Sequence, residues 1–319
     1  MSSIGFGTWS WGNKFLWGYN KENDDENIRN AFFTAIKGGL NLIDTADSYG
    51  TGSLEGRSEL LLGKFIEELP LKLKRKLKVT TKLAPYPWRI GRNGFYDALI
   101  KSKKRLRGNL KRVQLHWSTS KYAPWQEIQL IDGLSDFKES GIIDEIGLSN
   151  IGPKKLVFFY ERLLKRGIKI KSLQTQFSLL SPNKLKSYEL ISICKELNID
   201  LLAYSPLGLG LLALNPTDKS LPKSFLRRQI FRKLLPETKK LREALHQIAI
   251  SRKVSQNQVA LNWCRSHGTI PIPGIRKKSH AIDSVNALKW QLTTYEKNFL
   301  DEEIKELSVS LPENPFQSS

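Results

Sequence analysis

A parallel (β/α)8 barrel of the TIM type, one domain over residues 1–319, is the fold class this sequence predicts. Strand-like and helix-like runs alternate from end to end, eight strand runs can be counted, and no linker or shift of composition divides the 319 residues. A doubly wound open sheet shares the same βα order and is the alternative.

The elements follow in order. Ile4–Gly7 is the first strand. Ile28, Ala31, Phe32, Ala35 and Ile36 recur at helical spacing behind the acidic Asp24–Glu26, and Gly38-Gly39 stop that helix before the strand Leu40–Ile43. The cycle repeats as helix Ser58–Phe65, strand Leu77–Thr81, helix Phe95–Leu106, strand Val113–Leu115 and helix Pro124–Ser140. It continues as strand Glu145–Leu148, helix Pro153–Lys165, strand Ser172–Phe177, helix Lys184–Leu197 and strand Asp200–Ala203. A stretch from Ser205 to about Leu235, rich in Pro, Gly, Leu and Arg, interrupts the pattern. Helices Pro236–Arg252 and Ser255–His267, the second opened by a Ser-x-x-Gln capping box, lead to the last strand, Thr269–Ile272.

Composition narrows the class. With 40% hydrophobic and 26% charged residues, the chain resembles a soluble globular protein with a sizeable core. No apolar run reaches the length of a membrane span, and no targeting segment is expected ahead of Ile4. Cys194 and Cys264 fall in helix-like sequence with neither disulfide nor metal spacing, so a reducing cytoplasm is the expected setting. The net charge of +20 is spread over residues 72–78, 101–112, 154–171 and 223–240. Charge of this kind can bind phosphates, but no recognition-helix, zinc-finger or RNA-binding signature accompanies it, and solvated basic helix faces explain it. Neither a membrane nor a nucleic acid is expected as a partner, and a monomer or weak oligomer is.

Chemistry gathers where strands end. Asn41-Leu-Ile-Asp-Thr-Ala-Asp-Ser-Tyr-Gly50, Val79-Thr-Thr-Lys82 and Val113-Gln-Leu-His-Trp117 put Asp44, Tyr49, Lys82 and His116 at neighbouring strand ends. A phenol is a weak acid near neutral pH, and a nearby cation lowers its pKa; Lys82 is the expected cation, held by Asp44. His116 can hydrogen-bond the same carbonyl oxygen. Singly, each has a plain structural reading: a loop aromatic, a surface charge, a core histidine, an Asx turn. Together they read as a proton-handling set. No Gly-x-Gly-x-x-Gly follows the first strand, but the loops after strands seven and eight, Tyr204-Ser-Pro-Leu-Gly-Leu-Gly210 and Pro273-Gly-Ile-Arg-Lys-Lys278, suit phosphate. Arg276 and Lys277 suit a terminal phosphate.

These residues closely resemble the aldo-keto reductase superfamily. Gly7-Thr-Trp9, Asp44-Thr-Ala-x-x-Tyr-Gly50, Leu115-His-Trp117, Gly147-Leu-Ser-Asn150, Gln174, Tyr204-Ser-Pro-Leu-Gly208 and Ile272-Pro-Gly274 fall in family order over nearly the whole chain. The resemblance implies a (β/α)8 barrel that reduces a carbonyl with NADPH, with Tyr49 as acid, Lys82 and Asp44 tuning it and His116 orienting the carbonyl. It also implies a cofactor site of Gly7, Thr8, Trp9, Ser149, Asn150, Gln174, Tyr204, Ser205, Leu207, Gly208, Gly274, Arg276, Lys277, His280 and Ser284. His280 and Ser284 stand where the family often has Arg and Asn. Within the superfamily, Phe6-Gly-Thr-Trp-Ser-Trp-Gly12, Leu16-Trp-Gly-Tyr19, Tyr86-Pro-Trp88, Leu115-His-Trp-Ser-Thr119 and Gln176-Phe-Ser-Leu-Leu180 resemble the plant-type pyridoxal reductases and their cyanobacterial relatives. That implies a small aldehyde, pyridoxal first, facing Trp17, Trp88 and Trp117. A general aromatic rim for many aldehydes is the alternative, as is a slow redox-sensing subunit like the potassium-channel β subunits.

Overall fold

The computed structural model describes residues 3–181, 183–315, 317 and 318. Eight strands run parallel and pair in chain order: β1 (Phe6–Gly7), β2 (Leu42–Asp44), β3 (Lys78–Leu83), β4 (Arg112–Leu115), β5 (Glu145–Ser149), β6 (Ile170–Gln176), β7 (Asp200–Tyr204) and β8 (Ile270–Pro271). The first and last meet. The Gly5 and Gly7 amides donate to the carbonyls of Pro271 and Pro273 at 3.0 and 2.9 Å, and Gly7 bridges Gly274, so the sheet closes into a barrel.

Helices cover the outside: α1 (Lys14–Trp17), α2 (Lys21–Lys37), α3 (Arg57–Glu67), α4 (Leu71–Lys74), α5 (Tyr96–Arg105), α6 (Pro124–Glu139) and α7 (Pro153–Leu164). They continue as α8 (Lys184–Glu196), α9 (Phe225–Glu237), α10 (Lys239–Arg252), α11 (Gln256–Ser266), α12 (Lys278–Ala287) and α13 (Thr294–Lys305). Each has a local reason. The Asn20 side chain caps α2 by accepting from the Glu22 amide, and Ile28, Ala31, Phe32, Ala35 and Ile36 form its buried stripe. Pro153 opens α7 where a missing N–H costs nothing. At α11 the Ser255 hydroxyl accepts from the Gln258 amide, but the Gln258 side chain turns to Asp283, so only half of the expected capping box forms.

The stretch after β7 is more regular than its sequence suggested. It contains a 3-10 turn, Gly208–Ala213, and α9, whose apolar stripe of Phe231, Leu234 and Leu235 lies among basic residues. Pro236 ends α9 rather than opening the next helix. The α10 helix starts at Lys239, with the Thr238 hydroxyl donating to the Leu234 carbonyl at the break. Beyond β8 lie α12, α13 and a C-terminal tail.

The period of two along a strand decides what faces inward. On β2, β3 and β6 the outward residues Ile43, Val79 and Leu173 join the apolar layer under the helices. The alternate residues point into the barrel, where Asp44, Thr80, Lys82, Gln114, Ser172 and Gln174 are all buried. The interior is tight at Gly147: a Cβ there would lie 2.6 Å from Ser172 Oγ and 2.9 Å from Gln114 Cγ. Gly147→Ala is therefore expected to destabilise the fold by about 1–3 kcal/mol, read as a lower urea midpoint with unchanged slope; an unaltered midpoint would contradict this packing.

Candidate active site

The barrel's polar interior opens at the C-terminal ends of the strands into a cavity of about 1060 Å³. At its floor, Asp44 at the end of β2 collects hydrogen bonds. Its Oδ1 accepts from Gln174 Nε2 at 2.7 Å and from Gln114 Nε2 and Thr80 Oγ1, both at 3.2 Å; its Oδ2 accepts from Lys82 Nζ at 2.5 Å. Lys82 also donates to the Thr45 carbonyl at 3.0 Å. Register explains the gathering, since Asp44 pairs with Thr80, Lys82 with Gln114, and Ser149 with Gln174.

Tyr49 lies above this pair, its ring facing Lys82 Nζ at 4.8 Å from the centroid. The His116 ring stands edge-on to it at 5.8 Å. The electrostatics differ from the sequence expectation. Burial, then Asp44 and Tyr204, raises the Tyr49 pKa well above that of a free phenol. The nearby Lys82 ammonium does not offset that burial, since Asp44, which holds it, itself adds to the rise. Burial lowers the Lys82 pKa, opposed by Asp44. His116 is held well below its usual value by burial, then by Lys82 and Arg89, so its ring is neutral. The site therefore holds a protonated phenol beside a neutral imidazole.

The predicted cofactor residues line the same cavity with two exceptions. Gly7, Trp9, Ser149, Asn150, Gln174, Tyr204, Ser205, Leu207, Gly274, Arg276, Lys277, His280 and Ser284 are on its wall. Thr8 and Gly208 are behind it. Thr8 is buried and bonds the Asp44 carbonyl, and Gly208, at a φ of 57°, packs on Leu180 and Leu212. Asn150 and Ser205 adopt the left-handed region (φ 57° and 52°), which turns the chain sharply at two strand exits. The Tyr204 hydroxyl donates to Asn150 Oδ1 at 2.9 Å, and burial raises its pKa to about 12. The Arg276 guanidinium is engaged, donating to the Trp17 carbonyl at 2.5 Å and to Asp24 at 2.6 Å.

Among the three predicted substrate tryptophans, Trp17 and Trp117 line the cavity and Trp88 does not. Trp88 is 72% exposed and stacks on Tyr86 at 4.6 Å, while Tyr86 meets the edge of Trp117 at 6.1 Å.

Several lining residues escaped the sequence reading: Ser48, Arg227, Asn257, Asp283 and the tail residues Leu311, Pro312, Asn314 and Pro315. Ser48 was visible beside Tyr49. Arg227 lies in the unread α9, and nothing marked the tail, whose Asn314 donates to the Tyr204 hydroxyl at 3.2 Å. Seven buried polar side-chain atoms lack a partner among the described residues. Four of them, Ser10 Oγ, Trp17 Nε1, Arg227 Nε and Asn257 Oδ1, belong to residues on this wall. Such atoms are costly unless a ligand meets them.

Comparison with known proteins points one way. The sequence profile of the aldo/keto reductase family matches residues 3–305. A chloroplastic pyridoxal reductase of Arabidopsis thaliana is 47% identical over 321 residues, covering 100% of this chain and 87% of the relative. A probable aldo-keto reductase of Glycine max is 26% identical, covering 98% and 86%. Among solved structures, a glycerol dehydrogenase of Gluconobacter oxydans superposes with a TM-score of 0.78 at 24% identity, covering 99% of this chain and 95% of the other. A Klebsiella pneumoniae aldo-keto reductase solved with NADPH superposes with a TM-score of 0.71 at 22% identity, covering 99% and 95%. At such identities the structures attest the barrel fold.

Removing Lys82 alone strands a buried carboxylate. Lys82→Met is expected to destabilise the protein by about 3–5 kcal/mol, and adding Asp44→Asn is expected to recover part of that loss. Denaturant unfolding of the single and double variants checks this; simple additivity would contradict the pairing.

Proposed function

This chain belongs to the aldo/keto reductase family, and on that premise we propose that it reduces a small aldehyde to the alcohol with NADPH, pyridoxal to pyridoxine first among its substrates. The observation that carries the substrate is the 47% identity, end to end, with a relative named a pyridoxal reductase. The rings of Trp9, Trp17 and Trp117 on the cavity wall suit a flat heteroaromatic aldehyde, and Trp88, stacked on Tyr86 outside it, extends that aromatic surface. The same residues also suit other aromatic aldehydes, which the substrate panel below separates.

The wall fits a dinucleotide. Arg227 Nε and Asn257 Oδ1 are a donor and an acceptor without partners, and Lys277 adds a cation. In this reading Arg276 and Lys277 hold the 2′-phosphate, with Arg276 kept in place by Asp24. Gly7, Trp9, Ser205, Leu207, Gly274, His280 and Ser284 line the rest of the cofactor's path, with Thr8 and Gly208 supporting it from behind. Ser149, Asn150 and Gln174 meet the nicotinamide amide, and Tyr204 lies against its ring. When bound, the nicotinamide supplies the hydride.

The residues of this chain handle the proton. Tyr49 stays protonated at neutral pH and gives its proton to the oxygen that gains charge when the carbonyl is reduced. The phenolate left behind faces the Lys82 ammonium, which Asp44 holds in position. His116, neutral, offers a hydrogen bond to the same oxygen. The reading extends to a monomer or weak oligomer in a reducing compartment, the cytoplasm, which two free and buried cysteines suit.

NADPH oxidation followed by absorbance over an aldehyde panel tests the substrate. Selective turnover of pyridoxal is expected; broad turnover would make the protein a general aldehyde reductase, and tight cofactor binding without turnover would remove the enzymatic reading. Tyr49→Phe is expected to cut kcat by about 10²–10⁴ with NADPH affinity kept, and a wild-type kcat would put the acid elsewhere. Arg276→Ala combined with Lys277→Ala should weaken NADPH about 10–100-fold more than NADH, as loss of charge-assisted bonds requires; equal losses would remove them from the 2′-phosphate. Because His116 is already neutral, kcat/KM should show no ionisation at the ordinary histidine value of 6.5, and a pH profile breaking there would contradict that assignment.

A further inference from the structure

The reduction proposed above asks His116 to donate a hydrogen bond, and a neutral imidazole can do so from only one of its two nitrogens. Which nitrogen carries the proton is set by the partner of the other. His116 Nδ1 lies 3.3 Å from the hydroxyl of Ser48, the residue before Tyr49 on the β2 exit loop. Ser48 therefore touches the imidazole while its neighbour in sequence stands edge-on to the same ring. The hydroxyl has a second neighbour, the phenol of Tyr86 on the loop after β3. Tyr86 is fixed in turn: Trp88 stacks on its ring at 4.6 Å, Trp117 meets it edge-on at 6.1 Å, and the Arg89 guanidinium sits over it at 4.9 Å.

Three groups in a row can share two hydrogens in two orders. Either Tyr86 donates to Ser48 and Ser48 to Nδ1, or Nδ1 donates to Ser48 and Ser48 to Tyr86. In a third arrangement Ser48 accepts from both neighbours and its own hydrogen has no acceptor in the row. A phenol is a much better donor than an aliphatic hydroxyl, and imidazole nitrogen is the best acceptor of the three. The first order is therefore the stable one.

We infer that Ser48 is a positioning residue for His116: backed by Tyr86, its hydroxyl donates to Nδ1 and fixes the neutral ring in the tautomer protonated on Nε2, the nitrogen left for the substrate. Ser48 does not take or give the transferred proton. It selects the one form of His116 that can donate toward a carbonyl oxygen. The inference rests on the proposed reduction for its purpose, but the tautomer itself does not depend on which aldehyde is used.

The test reads both. Imidazole ¹⁵N NMR of the full chain, with the His116 signals identified by their loss in His116→Gln among four histidines, reports the tautomer without substrate. The wild type is expected to show Nε2–H with Nδ1 unprotonated. Ser48→Ala is expected to shift the tautomer ratio toward Nδ1–H by about tenfold, the equivalent of one ordinary hydrogen bond. It should also lower kcat for any aldehyde that turns over, with the Kd for NADPH unchanged. Ser48→Thr, which keeps the hydroxyl, should restore both. A wild-type ring protonated on Nδ1, or a ratio that Ser48→Ala leaves unmoved, overturns the inference even if the protein proves to be an efficient pyridoxal reductase. A shifted ratio with unchanged kcat overturns its catalytic purpose. A kcat loss that threonine fails to restore assigns Ser48 a merely structural place and overturns it as well. Failure of the substrate proposal alone leaves the NMR result standing.

Discussion

The buried pairing of Asp44 with Lys82 is the constraint on which the site depends. A carboxylate and an ammonium inside a barrel are tolerable only when every lone pair and proton is met. Here three side-chain donors meet one carboxylate oxygen and the lysine meets the other, while the lysine's second bond goes to the Thr45 carbonyl. Those partners come from β3, β4 and β6, so the charge pair ties strands across the barrel. Shifting one strand by a single residue would turn its inward set outward and leave the carboxylate bare.

That arrangement accounts for the chemistry above it. Burial dominates at Tyr49 and Asp44 adds to it, so the phenol keeps its proton despite the nearby cation. A loaded donor beside a neutral imidazole is what reduction of a carbonyl needs, since charge appears on oxygen only as the reaction proceeds. In the proposed reduction, the lysine's value lies in the product state of the proton transfer, when a phenolate faces it. The same burial that lowers the His116 pKa makes its tautomer, not its charge, the property the surroundings must control.

Much of this was legible in the sequence because strand ends are strongly patterned. The runs ending in Asp44, Lys82 and His116 stop at a polar residue after β-branched or apolar residues, where a parallel barrel gathers its catalytic groups. The loops after β7 and β8 announced themselves by glycine and basic residues. What stayed hidden lacked a local signal. The α9 helix hides its stripe of Phe231, Leu234 and Leu235 among arginines and lysines, so nothing local marks Arg227, on its first turn, as a residue of the cavity wall. Asn314 reaches Tyr204 from a tail whose course is set by tertiary contacts. Trp88, expected at the substrate mouth from a local aromatic identity, stacks on Tyr86 outside the cavity wall. Lys82 shows a different limit: its pairing with Asp44 was legible, but the burial that outweighs the cation at Tyr49 required the fold.

The central claim is electrostatic: burial, reinforced by the Asp44 carboxylate, keeps Tyr49 protonated. Titration of the ¹³Cζ resonance of tyrosine measures it directly, with Tyr49 identified among nine tyrosines by its loss in Tyr49→Phe. In the wild type, Tyr49 should stay protonated past pH 10, the value of a free phenol. In Asp44→Asn its pKa should fall, because the Asp44 carboxylate adds to the rise that burial causes. A Tyr49 that ionises below pH 10 in the wild type would contradict the account.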